Sequence, residues 1–269
     1  MAKIKIFLPS MSTIISVTNQ KGGVGKTTSA VNLSAALARN RKKTLLVDFD
    51  PQGHATEHLG AKVSNTNDGS EKSVLEVILG KKTIREAVVQ TYLPNLSLLT
   101  ANLRLGLFNQ NTPQGMQFQL KNAFNEEVLS TYDFIIIDCQ PSLSLLTLNA
   151  LTSADYVLLP VQAEFLALDG LSQLVVTLKE VQTKLHPRLA VLGILLTMFD
   201  SRNRLSGEVH SELKKNFGKD LFDSIIPRNV KLAEAPSFGK SIFDYDSGCS
   251  GAKAYDDLAI EILTKLNLR

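Results

Sequence analysis

Gln20-Lys21-Gly22-Gly23-Val24-Gly25-Lys26-Thr27-Thr28 is the stretch that decides how this chain folds. Ile14–Thr18 before it is a β-branched run that reads as a strand, and Thr28–Ala38 after it reads as a helix. The glycines therefore lie between a strand end and a helix N-terminus, where backbone N–H groups gather around an anion. Gly22, Gly23 and Gly25 let those groups turn inward with no Cβ in the way. In such a loop Lys26 reaches the β- and γ-phosphates of a nucleotide, Thr27 ligates Mg²⁺, and Val24 and Thr28 complete the cradle. The common pattern begins with glycine, but here Gln20 holds that place, and Lys21 adds a second lysine.

Two downstream segments share one design. Thr44–Asp50 reads Thr-Leu-Leu-Val-Asp-Phe-Asp and runs into Pro51-Gln52-Gly53, while Tyr132–Ser142 reads Tyr-Asp-Phe-Ile-Ile-Ile-Asp-Cys-Gln-Pro-Ser. Each is an apolar strand ending in a carboxylate, the pattern of a buried parallel strand that delivers an acid to the carboxyl edge of a sheet. With the glycine loop, these segments resemble the deviant Walker-A ATPases, most nearly the ParA/Soj partition ATPases of the MinD/ParA superfamily. Ile226–Lys240, with Pro227, Asn229 and Lys231, is similar to a further signature of that family. The resemblance runs from about Met11 to the C-terminus.

The resemblance implies a single-domain α/β P-loop NTPase fold, with a mostly parallel twisted sheet and helices on both faces. It implies ATP and Mg²⁺ as cofactors and a weak intrinsic hydrolysis rate. Asp50 matches the family's catalytic aspartate and Asp138 the carboxylate that holds the metal through water. Asp48, on the same side of its strand as Asp50, is expected to support metal waters. Lys21 matches the lysine that reaches the partner subunit's nucleotide, so that ATP joins two chains. Such a finger supplied in trans is worth roughly 10³–10⁵ in rate in well-studied NTPases. Pro227 and Asn229 match the segment that frames adenine. For DNA, Arg202 and Lys231 match phosphate-contacting positions, with Arg204, Lys214, Lys215 and Lys240 as extensions of the patch. The implied partners are a second copy of the chain, non-specific double-stranded DNA and a ParB-like centromere-binding protein that stimulates hydrolysis. The implied place is the nucleoid in the cytoplasm, and the implied task is chromosome or plasmid partition.

Composition neither adds to these expectations nor opposes them. The chain has 269 residues and a net charge of +3, too small to imply a nucleic-acid partner. Between Asp200 and Lys240 stand eight basic and six acidic residues, so a DNA surface depends on which face each occupies. Cys139 and Cys249 form neither a metal spacing nor a disulfide framework, which fits a reducing cytosol. Cys139 reads as a small buried hydrophobe rather than a cluster ligand. No apolar run approaches a membrane span. Met1–Ser10 resembles a signal segment poorly and reads as an extension or a misassigned start, with the ATPase domain over 11–269.

Strand-like runs at 14–18, 44–48, 96–100, 133–138, 155–161 and 190–197 alternate with helical stretches at 72–79, 83–90, 117–130, 168–185, 207–217 and 251–266. Thr83 and Asp169 read as N-caps, and Ser64–Ser70 as a polar connecting loop. His54-Ala55-Thr56-Glu57-His58 fits the zinc-protease pattern H-x-x-E-H, but occupies chain that the phosphate site already uses. The alternative to a DNA-bound ATPase is a MinD-like, membrane-associated positioning ATPase. That reading asks for a basic amphipathic C-terminal helix, whereas Ala254–Arg269 carries Asp256, Asp257 and Glu261 against Lys265 and Arg269. A regulator that uses ATP only as a conformational ligand is the other alternative.

Overall fold

The computed structural model describes residues 12–62, 71–109, 115–164 and 167–268. The N-terminal stretch 1–10 and the polar loop Ser64–Ser70 lie outside the described residues. Along the chain come β1 (Thr13–Val17), α1 (Lys26–Arg39), β2 (Thr44–Phe49), α2 (His54–His58), α3 (Val74–Ile78), α4 (Ile84–Ala87), β3 (Val89–Gln90) and β4 (Leu96–Leu99). They are followed by α5 (Gln119–Ala123), α6 (Glu126–Thr131), β5 (Phe134–Cys139), α7 (Leu145–Ser153), β6 (Tyr156–Gln162), α8 (Ala167–Lys184) and β7 (Ala190–Thr197). The chain then forms α9 (Arg204–Phe217), α10 (Val230–Glu234), α11 (Ile242–Tyr245) and α12 (Ser250–Lys265).

The strands make one seven-stranded sheet in the order β3-β4-β2-β5-β1-β6-β7, parallel except for the short edge strand β3. The central strands are buried throughout, because helices cover both faces. Alternate side chains feed two cores. Leu45, Val47, Ile135 and Ile137 enter one, and Leu46, Ile136, Ile15 and Val17 join α1 and α12 in the other. Parallel register sets Asp48 beside Asp138 and Val17 beside the same Asp138. Three strand ends therefore place the glycine loop and both acid-ended segments on one edge.

The departures from the sequence reading have local causes. The stretch 117–130 is broken rather than continuous, because buried Phe124 leaves helical geometry and the Asn125 side chain accepts from Val128 N to start α6. The 83–90 stretch ends at Ala87, after which Val89 pairs with Leu98 of β4. Thr83 caps α4 in a reciprocal box with Glu86. Asp169 lies inside α8, which begins at Ala167, so it is not that helix's N-cap.

Candidate functional site: a phosphate loop with two lysines

The glycine loop begins its helix earlier than Thr28: α1 starts at Lys26, with Gly25 as its cap in the left-handed region at φ 84°. No side chain caps that terminus, so the first-turn N–H groups face the loop unmasked. Gly23 is also left-handed, at φ 73°, and a Cβ added at Gly22 or Gly23 would meet nothing within 4 Å. Thr197, ending β7, donates to Val24 O at 2.9 Å and fixes the loop from behind.

The two lysines have different surroundings. Lys26 is buried, and its Nζ donates to Lys21 O at 2.9 Å across the loop. Burial pushes its pKa down, opposed by Asp138, Cys139 and Asp50. Lys21 turns outward. Its Nζ lies 2.9 Å from Glu164 Oε2, and both side chains are nearly half exposed. Glu164 is itself held by Gln162 Nε2 at 2.6 Å. Asn19 sets the start of the loop: its Oδ1 accepts from Lys21 N at 3.0 Å and its Nδ2 donates to Pro160 O at 2.7 Å.

Asp138 is fully buried, and neither carboxylate oxygen has a hydrogen-bond partner among the described residues. Burial first, and then the neighbouring Asp48, push its pKa well up. The Thr27 hydroxyl stands beside it without bonding either oxygen in normal geometry, and Lys26 and Asp50 are near neighbours. A buried carboxylate with no donor is costly unless a cation supplies the missing charge. Thr27 and Asp138 thus fit Mg²⁺, which takes one or two protein oxygens and keeps several waters. Asp50 is buried at the loop's rim, where its Oδ1 accepts from Gln52 N at 2.9 Å.

Asp48, expected to support metal waters, has both oxygens taken by protein donors: Asp50 N on Oδ1 at 3.3 Å, and Thr56 N and Oγ1 on Oδ2 at 2.8 and 2.6 Å. Cys139 behaves as the small buried residue expected of it, with its Sγ 3.2 Å from Ser16 Oγ and its thiol pushed by burial up to about 12. The His54–His58 pentad forms α2, and the described residues hold no cluster of three or more His, Cys, Asp or Glu that could bind a metal.

A cleft of about 220 Å³ opens beside Gly25 and Thr28, walled by Thr197, Met198, Pro227, Asn229 and Tyr255 among others. Pro227 and Asn229 are thereby brought to the phosphate loop. Asn229 caps α10 by accepting from Lys231 N. Thr197, Met198 and Tyr255 escaped the sequence reading. Met198 has φ 52°, a strained value for a side chain of its size, and Tyr255 is anchored to Ser29 Oγ at 3.0 Å.

The basic candidates divide. Phe199 N donates to Ile226 O and Arg228 N to Phe199 O, so the segment after β7 runs beside the segment before α10. This brings Arg202 and Arg228, on neighbouring loops, close to Lys231 in the first turn of α10. Arg228, exposed and close to Asp200, was overlooked although it sits between Pro227 and Asn229. Arg202 forms a two-point pair with Asp200, at 3.0 and 2.9 Å, which holds that carboxyl down to about 2. Lys231 pairs with Glu234 at 3.0 Å and Arg204 with Glu208 at 2.8 Å. Lys214 and Lys215 are exposed in the last turn of α9, about 15 Å along the helix from Arg204 at the usual rise. Lys240 is exposed at the end of the segment that follows α10.

A strand–glycine loop–helix unit with a buried lysine, a hydroxyl and an orphaned carboxylate defines a phosphate-loop nucleotide-binding protein. Residues 12–191 match the AAA domain family. The sporulation initiation inhibitor protein Soj of Bacillus subtilis is 46% identical over 94% of this chain and 98% of its own length. The chromosome partitioning protein ParA of Caulobacter vibrioides is 41% identical over 94% of each. Among solved structures, cobyrinic acid a,c-diamide synthase from Mycobacterium smegmatis, with bound ATP analogue and magnesium, superposes with a TM-score of 0.80. It is 34% identical over 95% of this chain and 96% of that one. The chain belongs to the Soj/ParA family of chromosome-partitioning P-loop ATPases.

Proposed function

We propose that this chain is a Mg²⁺-dependent ATPase that dimerises on ATP, holds DNA without sequence preference and releases it on hydrolysis to drive partition. The observation that carries the reading is the division of labour between the two lysines of one loop. Lys26 is buried against Asp138 and Asp50, whereas Lys21 projects outward onto Glu164. A lysine so placed is available to a nucleotide held by a second copy of the chain.

In this reading the loop N–H groups and Lys26 bind the β- and γ-phosphates, and the cleft at Pro227 and Asn229 takes the adenine. Thr27 and Asp138 would hold Mg²⁺, which would supply neutralising charge to the phosphate oxygens. Asp50 orients the attacking water and accepts its proton as the water oxygen bonds to the γ-phosphorus and the bond to the bridging oxygen breaks, leaving ADP and phosphate. Lys21 of the second chain stabilises charge on the transferring group.

Arg202 and Arg228 on adjoining loops, with Lys231 in the first turn of α10, support the DNA contact. With about three phosphate contacts per subunit, a dimer has Z of about six and a slope of log K against log salt near −5, about twice that of a monomer. ATP then switches DNA binding by joining two charged faces. A ParB-like protein is the stimulating partner that the family relationship suggests. Against the membrane alternative, the apolar face of α12, with Tyr255, Leu258, Ile262 and Leu263, is buried on the protein body. Among the described residues no helix is long and apolar enough to cross a membrane.

DNA retention measured with ATP, ADP and no nucleotide across a salt series tests the proposal. Retention should require ATP and fall with the dimer's slope. Arg202→Glu should lose retention while still dimerising with ATP; unchanged retention discards the DNA face. Flotation of the ATP form with anionic liposomes, without DNA retention, establishes the membrane reading instead.

A further inference from the structure

One hydroxyl ties together the chain segments around Asp50. Thr56, in α2, is 3% exposed. Its Oγ1 donates to Asp48 Oδ2 at 2.6 Å and accepts from Ala101 N, just beyond β4, at 3.1 Å. Its backbone N donates to the same Oδ2 at 2.8 Å, and Asp48 Oδ1 accepts from Asp50 N at 3.3 Å. Between them the chain makes a tight turn, with Gly53 N donating to Asp50 O at 2.9 Å. Gly53 has φ 67°, and a Cβ there would stand 3.3 Å from Ala101 O. The end of β2, the Asp50 turn, the start of α2 and the end of β4 are thus joined through Asp48 and Thr56.

We infer that Thr56 and Asp48 are positioning residues, which act through the Asp50 turn to hold that carboxylate where water attacks. The inference rests on the proposed role of Asp50. Asp48 carries a buried carboxylate, so its oxygens must be satisfied, and the donors available all belong to the Asp50–Thr56 segment and fix its course. A charged acceptor makes these the stronger class of hydrogen bond. Valine at position 56 keeps the shape and the backbone N–H but removes the hydroxyl. Asp48 then loses its shortest bond and Ala101 N loses its acceptor. The turn is freed to shift, and displacements near 1 Å cost on the order of 10²-fold in rate.

The test is steady-state ATP hydrolysis by Thr56→Val, Thr56→Ser and Asp50→Ala, with the rise in melting temperature on adding MgATP measured in parallel. Thr56→Val should lose about 10- to 100-fold in kcat, with KM for ATP within about twofold and the MgATP-induced melting shift retained. Thr56→Ser should restore kcat to within about threefold. Wild-type kcat in the valine variant, alongside an inactive Asp50→Ala, overturns this inference alone. Normal hydrolysis by Asp50→Ala instead overturns the reading of Asp50 beneath it. If the valine variant does not fold, Thr56→Ala is measured for the same split. Failure of both to fold, with the serine variant fully active, makes the hydroxyl a folding element and overturns the inference as well.

Discussion

His58 makes stability depend on pH in a way that one substitution isolates. Its side chain is 2% exposed, and burial pushes its pKa from 6.5 down to about 4, opposed only by its hydrogen bond to the Lys240 backbone. Between those values the unfolded chain binds a proton that the folded chain refuses, so this group's contribution falls as pH falls through the window. At 1.36 kcal/mol per unit, the full loss below pH 4 is about 3 kcal/mol, and at pH 5 it is about 2 kcal/mol. Asp48 and Asp138, whose pKa values burial raises, act in the opposite sense, so the wild-type profile alone does not separate them. His58→Gln removes only the histidine. Urea denaturation of both proteins, without nucleotide or Mg²⁺, at pH 7.5 and pH 5 gives the comparison. The wild type should lose about 2 kcal/mol more than the variant across that interval. Parallel losses would show that His58 is not held neutral by burial, and the packing of α2 against the Ala235–Lys240 segment would need another account.

Two further substitutions probe the site and the sheet. Asp138→Asn should stabilise the metal-free protein by about 1–3 kcal/mol, because a buried carboxylate with no donor gives way to a neutral group; calorimetry with and without MgATP should show that gain while the stabilisation by MgATP disappears. Gly193→Ala, in β7, should destabilise by about 1–3 kcal/mol, since the added Cβ would lie 2.4 Å from the Phe222 ring; an unchanged urea midpoint would contradict that packing.

Contiguous residues determined the strands, the phosphate loop and the acids at the strand ends. Periodicity and turn chemistry are properties of neighbours in sequence, and β7 occupies the stretch read for it, Ala190–Thr197. The same locality explains the misplaced helix boundaries. Asn125 competes with helix continuation through its own cap, and Val89 leaves its helix because β4 offers a partner. Only the tertiary structure decided what each charged group faces. Lys21 meets Glu164 just past the end of β6, Asp48 meets Thr56 across a turn, and Arg228 joins Arg202 because two loops pair at Phe199. A carboxylate's task depends on which donors surround it, and those donors come from segments brought together by a sheet whose strand order is not the chain order.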